Sequence, residues 1–172
     1  RHFFLAQYFR DHYDENMAQL PNILSGITIN RAEVWVTNKT GQTTNTRNII
    51  ALTDLGEASK IHNPLWTPGS TTVPANAANT LYNIVSGING VRNISTATSA
   101  LDGFGLTGGV DYEKLESARL LSPSEYKVNA ALGYISLRSA LQPDQVLAVA
   151  FEYTYRGTNY QVGEFSTDRK DN

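Results

Sequence analysis

The chain contains no cysteine, which excludes disulfides and thiolate-bound metal. Charge is also scarce: charged residues make up 17% of the 172 positions and the net charge is −2. No cluster of Lys and Arg stands out, so binding to a nucleic-acid backbone has no electrostatic basis. No apolar run is long enough to span a bilayer as a helix. The first residues mix aromatics with charges and do not read as a secretory leader. The start at Arg1 and not at Met leads to the expectation that the chain is a piece of a larger protein.

Hydrophobic residues make up 41% of the sequence, enough for one domain with its own core. With so few charges, the polar surface must rest on Asn, Thr, Ser and Gln, a composition suited to extracytoplasmic proteins. Residues 3–20 carry Leu5, Phe9, Tyr13 and Met17 at intervals of four. That spacing predicts an amphipathic helix, stopped by Pro21. Residues 26–38 read as a strand in which the apolar parity changes: Ile27 and Ile29 first, then Ala32, Val34 and Val36. A strand with one buried face needs a bulge or a change of partner near Asn30 and Arg31 to do this. Arg31 and Glu33 lie on its second face with Trp35, spaced to pair as a weak, solvated ion pair. Residues 48–55 form a second apolar run after a polar turn, which predicts a hairpin.

The middle of the chain is less regular. Asn63-Pro64 and Thr67-Pro68-Gly69 mark a loop. Residues 75–86 suggest a short helix with Leu81, Ile84, Val85 and Ile88 as its apolar face. Residues 86–109 read as a long surface loop with one short element, and 111–121 fit either a helix or a strand. The last third is clearest: strands are expected over 126–130, 133–137 and 146–155, with 160–165 returning as a hairpin partner. The fold expected is α+β, a mainly antiparallel sheet or sandwich with the N-terminal amphipathic helix packed on it, as a single soluble domain over 1–172.

Candidate chemistry is thin. His2, His12 and His62 are scattered, and His12 has no acidic partner at ligand spacing on its helix. His62 reads as a surface or core-edge residue. The glycine-rich stretch 103–109 lacks the Gly-Lys-Ser/Thr ending of a phosphate loop and reads as a turn. Asp144, Glu152 and Glu164 fall on solvent-facing positions, with nothing to tune them for acid–base work. A hydrolase would need clustered carboxylates or a nucleophile–base pair, and no Gly-x-Ser-x-Gly elbow is present. No catalytic residue, metal ligand or cofactor is expected. Two tryptophans and nine tyrosines can build a binding platform or fill strand faces. The sheet face around Trp35, Tyr153 and Tyr155 is the candidate contact surface.

Five phrases occur in order: HFFLAQYFRDHYDENMAQLP (2–21), GITINRAEVWVTNKTG (26–41), NTRNIIALTDLGE (45–57), LSPSEYKVNAALGYISL (121–137) and VLAVAFEYTYRGTNYQVGEFSTD (146–168). Together they resemble the SprA (Sov) family, giant outer-membrane translocon proteins of the type 9 secretion and gliding machinery of Bacteroidota. The resemblance covers nearly the whole chain and is weakest over 61–109. It implies a β-barrel parent through which folded cargo crosses the outer membrane, and it brings no catalytic motif. This stretch lacks the successive lipid-facing strands of a barrel, so the expectation is a domain inserted between barrel strands. Long connections of such barrels lie outside, which favours the extracellular side over the periplasm or lumen. The partners implied are the rest of the barrel protein, secreted cargo and accessory translocon proteins, with no nucleic acid and no membrane insertion by this segment. The alternative reading is a cell-surface module that binds glycan or peptide.

Overall fold

A computed structural model describes residues 1–18, 20–23 and 25–168. The chain forms two antiparallel sheets. The smaller contains β1 (His2–Phe4), β5 (Tyr126–Asn129) and β6 (Tyr134–Leu137) in the order β1-β6-β5. The larger contains β2 (Ile27–Val36), β3 (Thr46–Leu52), β4 (Tyr112–Leu120), β7 (Leu147–Tyr155) and β8 (Thr158–Val162) in the order β3-β4-β2-β7-β8. The helices are short: α1 (Gln7–Asp11), α2 (Tyr13–Met17), α3 (Leu81–Ser86) and α4 (Ala97–Gly103), with a 3-10 turn at Asn76–Ala78. No helix among the described residues is long and apolar enough to cross a membrane.

The parity change in β2 is a bulge. The ladder to β7 pairs Ile29 with Tyr153 and Arg31 with Glu152, leaving Asn30 as the extra residue. The bulge turns Ile27, Ile29, Ala32, Val34 and Val36 toward one core, which they share with Phe151 and Tyr153 of β7 and with Ile135 and Leu137 of the smaller sheet. Trp35 points the other way, into a separate cluster with Leu115, Ala118 and Ala148.

Three expectations are corrected. The predicted helix over 3–20 is a strand followed by two single-turn helices. Residues 2–4 pair with β6, and the Leu5 amide and the Arg1 carbonyl bond to Gly133 and Leu137, each at 2.9 Å. His12 then interrupts the helix, its amide and ring Nδ1 lying 3.1 and 2.8 Å from the Tyr8 carbonyl. The β2–β3 hairpin does not form, because β4 sits between them: β3 pairs with β4 over its length, while β4 meets β2 only at Trp35 and Val36. Residues 86–109 contain the one short element expected, α4, but are more than a surface loop, since Val91, Leu101 and Leu106 pack with Trp66, Leu81, Val85 and Tyr112 in a third apolar cluster. Residues 111–121 resolve to strand β4, where Tyr112 and Leu115 bury against different clusters.

Arg31 and Glu33 do not form the expected solvated pair; both take partners from the segment 164–168. Glu33, 8% exposed, accepts the Ser166 amide on Oε1 and the Ser166 hydroxyl on Oε2, each at 2.6 Å. The Arg31 guanidinium lies 4.0 Å over the Phe165 ring and donates to Thr167. Arg47 donates to the Ser166 carbonyl, and Asp168 accepts the Phe165 amide and the Gln161 side chain. Glu164 takes a two-pronged bond from Arg92, with both distances 2.8 Å, and the Tyr82 hydroxyl. The segment is thus a strap across the outer face of the larger sheet, held by charge-assisted bonds.

Gly133 is the tightest backbone approach in the sandwich. Its φ is +74°, and a Cβ there would lie 2.5 Å from the Phe9 ring, which is itself fully buried against Phe151 and Tyr153. Gly133→Ala therefore combines a left-handed backbone with an overpacked core and is expected to destabilise the domain by about 2–4 kcal/mol. Equilibrium urea unfolding checks this, and a loss below about 0.5 kcal/mol would show that Phe9 repacks freely.

Candidate functional site

The antiparallel β3–β4 pair ends with Leu52 opposite Tyr112. The residues just past that end, Asp54 and Asp111, are therefore brought to one place although 57 positions apart in sequence. Asp54 sits in the turn after β3, closed by the Glu57 amide on the Asp54 carbonyl at 3.1 Å. Asp111 sits in the turn before β4, where its own amide bonds the Thr107 carbonyl at 2.8 Å. The irregular loop after Glu57 returns across both and places His62 between them. His62 Nδ1 is 2.6 Å from Asp54 Oδ2, and Nε2 is 2.9 Å from Asp111 Oδ1.

Both carboxylates are buried, Asp54 at 2% and Asp111 at 1% exposure. Buried carboxylates need donors, and the loop supplies them. Asp54 Oδ2 accepts the Trp66 indole N–H at 2.8 Å and the His62 and Asn63 amides at 3.1 and 3.4 Å. Asp111 accepts the Asn63 side-chain amide at 3.1 Å and the Thr107 amide at 2.7 Å. Nearby, the buried Asn79 donates to the carbonyls of Asp54 and Glu57 and accepts the Leu81 amide, tying the same turn to the start of α3. The bond from Asp54 raises the His62 pKa against some desolvation, and Asp111 raises it further. Burial by itself pushes the Asp111 carboxyl up, but the donors from Thr107, Asn63 and His62 outweigh it and hold it below the usual carboxylate range.

Two buried carboxylates beside a histidine are the kind of group a hydrolase requires. Here both ring nitrogens already face carboxylate oxygens of the fold, so neither is turned toward a substrate to act as a base. The donors on Asp54 and Asp111 come from the protein's own loop. The cluster is built as a cross-link between three segments. Among the described residues, no group of three or more His, Asp or Glu side chains is arranged to hold a metal.

A second feature is an apolar groove of about 340 Å³ lined by Phe3, Phe4, Leu5, Ile135, Leu141, Leu147 and Val149. It lies where edge strand β1 meets the first half of β7, which pairs with β2 but lies ahead of the β8 ladder that starts at Phe151.

The expected contact face is not a surface. Trp35 is 6% exposed and sits on the opposite side of the larger sheet from Tyr153, which is fully buried and donates to the Pro74 carbonyl at 2.6 Å. Burial also raises the Tyr153 pKa. Tyr155 is half-buried, with the Arg156 guanidinium 5.0 Å over its ring. Trp66, the other aromatic of the platform reading, is 1% exposed. Trp35 and Tyr153 fill cores because alternation along β2 and β7 turns them inward, whereas Trp66 is buried from the loop after β3 by its bond to Asp54. Asp144, Glu152 and Glu164 are not brought together: Asp144 pairs with Lys39, Glu152 lies opposite Arg31 and Gln161, and Glu164 bonds Arg92. His2 bonds Ser136 and His12 stacks on Tyr8. In the stretch 103–109, Gly105 and Gly109 adopt positive φ, as a turn requires. Sequence reading passed over Asp54 and Asp111; their only signal is a lone acid at each end of a strand.

No protein-family model and no curated protein matches the chain.

The Asp111 carboxylate accepts every bond it makes, so Asp111→Asn turns an amide donor toward groups that are themselves donors. It is expected to cost about 1–3 kcal/mol, whereas Asp144→Asn, at an exposed pair, is expected to change stability by less than about 1 kcal/mol. Thermal unfolding of the two variants side by side checks the difference.

Proposed function

We propose that the chain is a non-enzymatic structural and interaction domain of a type 9 outer-membrane translocon, inserted in the barrel protein on its extracellular side. The observation that carries this reading is where the resembling phrases fall. Residues 2–21, 26–41, 45–57, 121–137 and 146–168 supply β1, β2, β3, β5, β6, β7, β8 and the strap. The weakly resembling stretch 61–109 supplies the separate helical cluster around Trp66. The likeness therefore falls on seven of the eight strands, β4 excepted, and on the strap.

The mechanism is steric and adhesive. A two-sheet body, with its N-terminal segment packed through Phe9, caps or gates the exit or docks cargo or an accessory protein. Two features support a non-catalytic role: the Asp54–His62–Asp111 cluster is bonded into the fold, and Trp35, Trp66 and Tyr153 are buried in cores. The partners in this reading are the remainder of the barrel protein and the proteins that pass or bind it.

A single cysteine at Thr43, in the exposed turn between β2 and β3, tests placement in the full-length protein. The domain contributes no cysteine of its own to the background. Labelling by a membrane-impermeant thiol reagent in intact cells is the expected outcome. Labelling only after the outer membrane is permeabilised would overturn the extracellular placement. Gly133→Ala in the same protein tests the role: cargo secretion is expected to fall with domain stability, and full secretion from an unfolded domain would remove it from the translocation pathway.

A further inference from the structure

The His62 cross-link has a chemical condition that the rest of the fold does not. A neutral imidazole carries one N–H and one lone pair. His62 has carboxylate oxygens at both nitrogens, 2.6 and 2.9 Å away. Only the protonated ring donates to both. When it loses its proton, one nitrogen lone pair faces a carboxylate, and two buried acids share the site with no counter-charge. The other charged groups on the packed segments are engaged elsewhere. Lys60 pairs with Asp11, Glu57 accepts the Gln7 amide, and Asp102 accepts the Tyr112 hydroxyl.

We propose that His62 is a pH-sensitive latch: protonated, it clamps the loop carrying Ile61 and Trp66 onto the turns at Asp54 and Asp111, and deprotonated, it releases that loop so that the Trp66 cluster opens while the two-sheet core stays closed. The division follows from the packing. Trp66 is anchored to Asp54, and its ring meets the His62 edge at 6.2 Å and 82°. Its cluster with Leu81, Val85, Val91, Leu101, Leu106 and Tyr112 of β4 shares no buried residue with the core between the two sheets, and the half-buried Leu55 packs against both.

The direction with pH follows from linkage. A histidine whose pKa is raised in the folded state, as His62 is, adds its full stabilisation below its unfolded value of about 6.5. It loses that stabilisation as pH rises through the folded value. Asp111, lowered in the folded state, adds its share above about 4 and loses it at lower pH. The latch is therefore tightest between about pH 4 and 6.5 and loosens on the alkaline side. Because one proton is involved, opening rises by at most about tenfold per pH unit.

The chain has only two tryptophans and three histidines, so NMR of the intact domain resolves each ring. Hydrogen exchange of the two indole N–H groups is followed across the titration of the His62 ring and corrected for intrinsic base catalysis. Exchange at Trp66 is expected to rise, by up to about tenfold per pH unit, with the midpoint at which His62 deprotonates. Trp35, in its own cluster, is expected to stay flat. His62→Gln, which has a single donor nitrogen in place of two and cannot titrate, is expected to abolish the slope. Flat Trp66 exchange through the His62 titration, or a wild-type slope in His62→Gln, would overturn the latch. Should His62→Gln fail to fold, agreement or disagreement of the two midpoints in the unaltered protein decides.

Discussion

The bulge at Asn30 is the constraint on which the other contacts depend. A regular β2 would send Ile27 and Ile29 to the face that carries Arg31, Glu33 and Trp35, because a one-residue slip moves every side chain across the sheet. With the extra residue, five apolar side chains of β2 meet Phe151, Tyr153 and the smaller sheet on one side. The opposite side is left for Arg31 and Glu33 to hold the strap and for Trp35 to join Leu115, Ala118 and Ala148. The sandwich core and the strap are thus two results of one backbone irregularity.

Much of the chain lies outside strands and helices, yet it is held in place by buried polar side chains. Glu33, Asp54, Glu57, Asn79 and Asp111 are all buried. Each bonds backbone groups of a segment that has no ladder of its own: Ser166, the His62 and Asn63 amides, Gln7, the 54–57 turn and Thr107. Such side chains satisfy backbone groups that would otherwise be buried without partners. This explains how a region with many polar residues and few charges closes over Trp66 without much regular structure.

For function, the arrangement divides the molecule into a framework and a lobe. In the proposed reading, the framework suits a part that must keep its shape while other proteins move past it. The lobe around Trp66 is closed by one histidine between two acids, so its stability answers to proton concentration in a way the framework's apolar core does not. A rigid body with a separately gated lobe is coherent with a steric and adhesive role.

The sequence by itself determined the strands of the last third, the irregular loop at 61–74, a short helix within 75–86, which forms at Leu81–Ser86, and the need for a bulge near Asn30. Alternation, Pro and Gly signals and helical spacing are local, and each is written within about ten residues. Tertiary structure alone decided that β4 separates β2 from β3, and that residues 2–4 pair with β6 instead of continuing a helix. It alone turned Trp35 and Tyr153 to opposite interiors, which local alternation marks as in or out but not against what. The Asp54–His62–Asp111 cluster was the least legible feature. Its members stand 8 and 49 positions apart, and only the β3–β4 pairing brings the two acids to one end of a sheet for a passing loop to join.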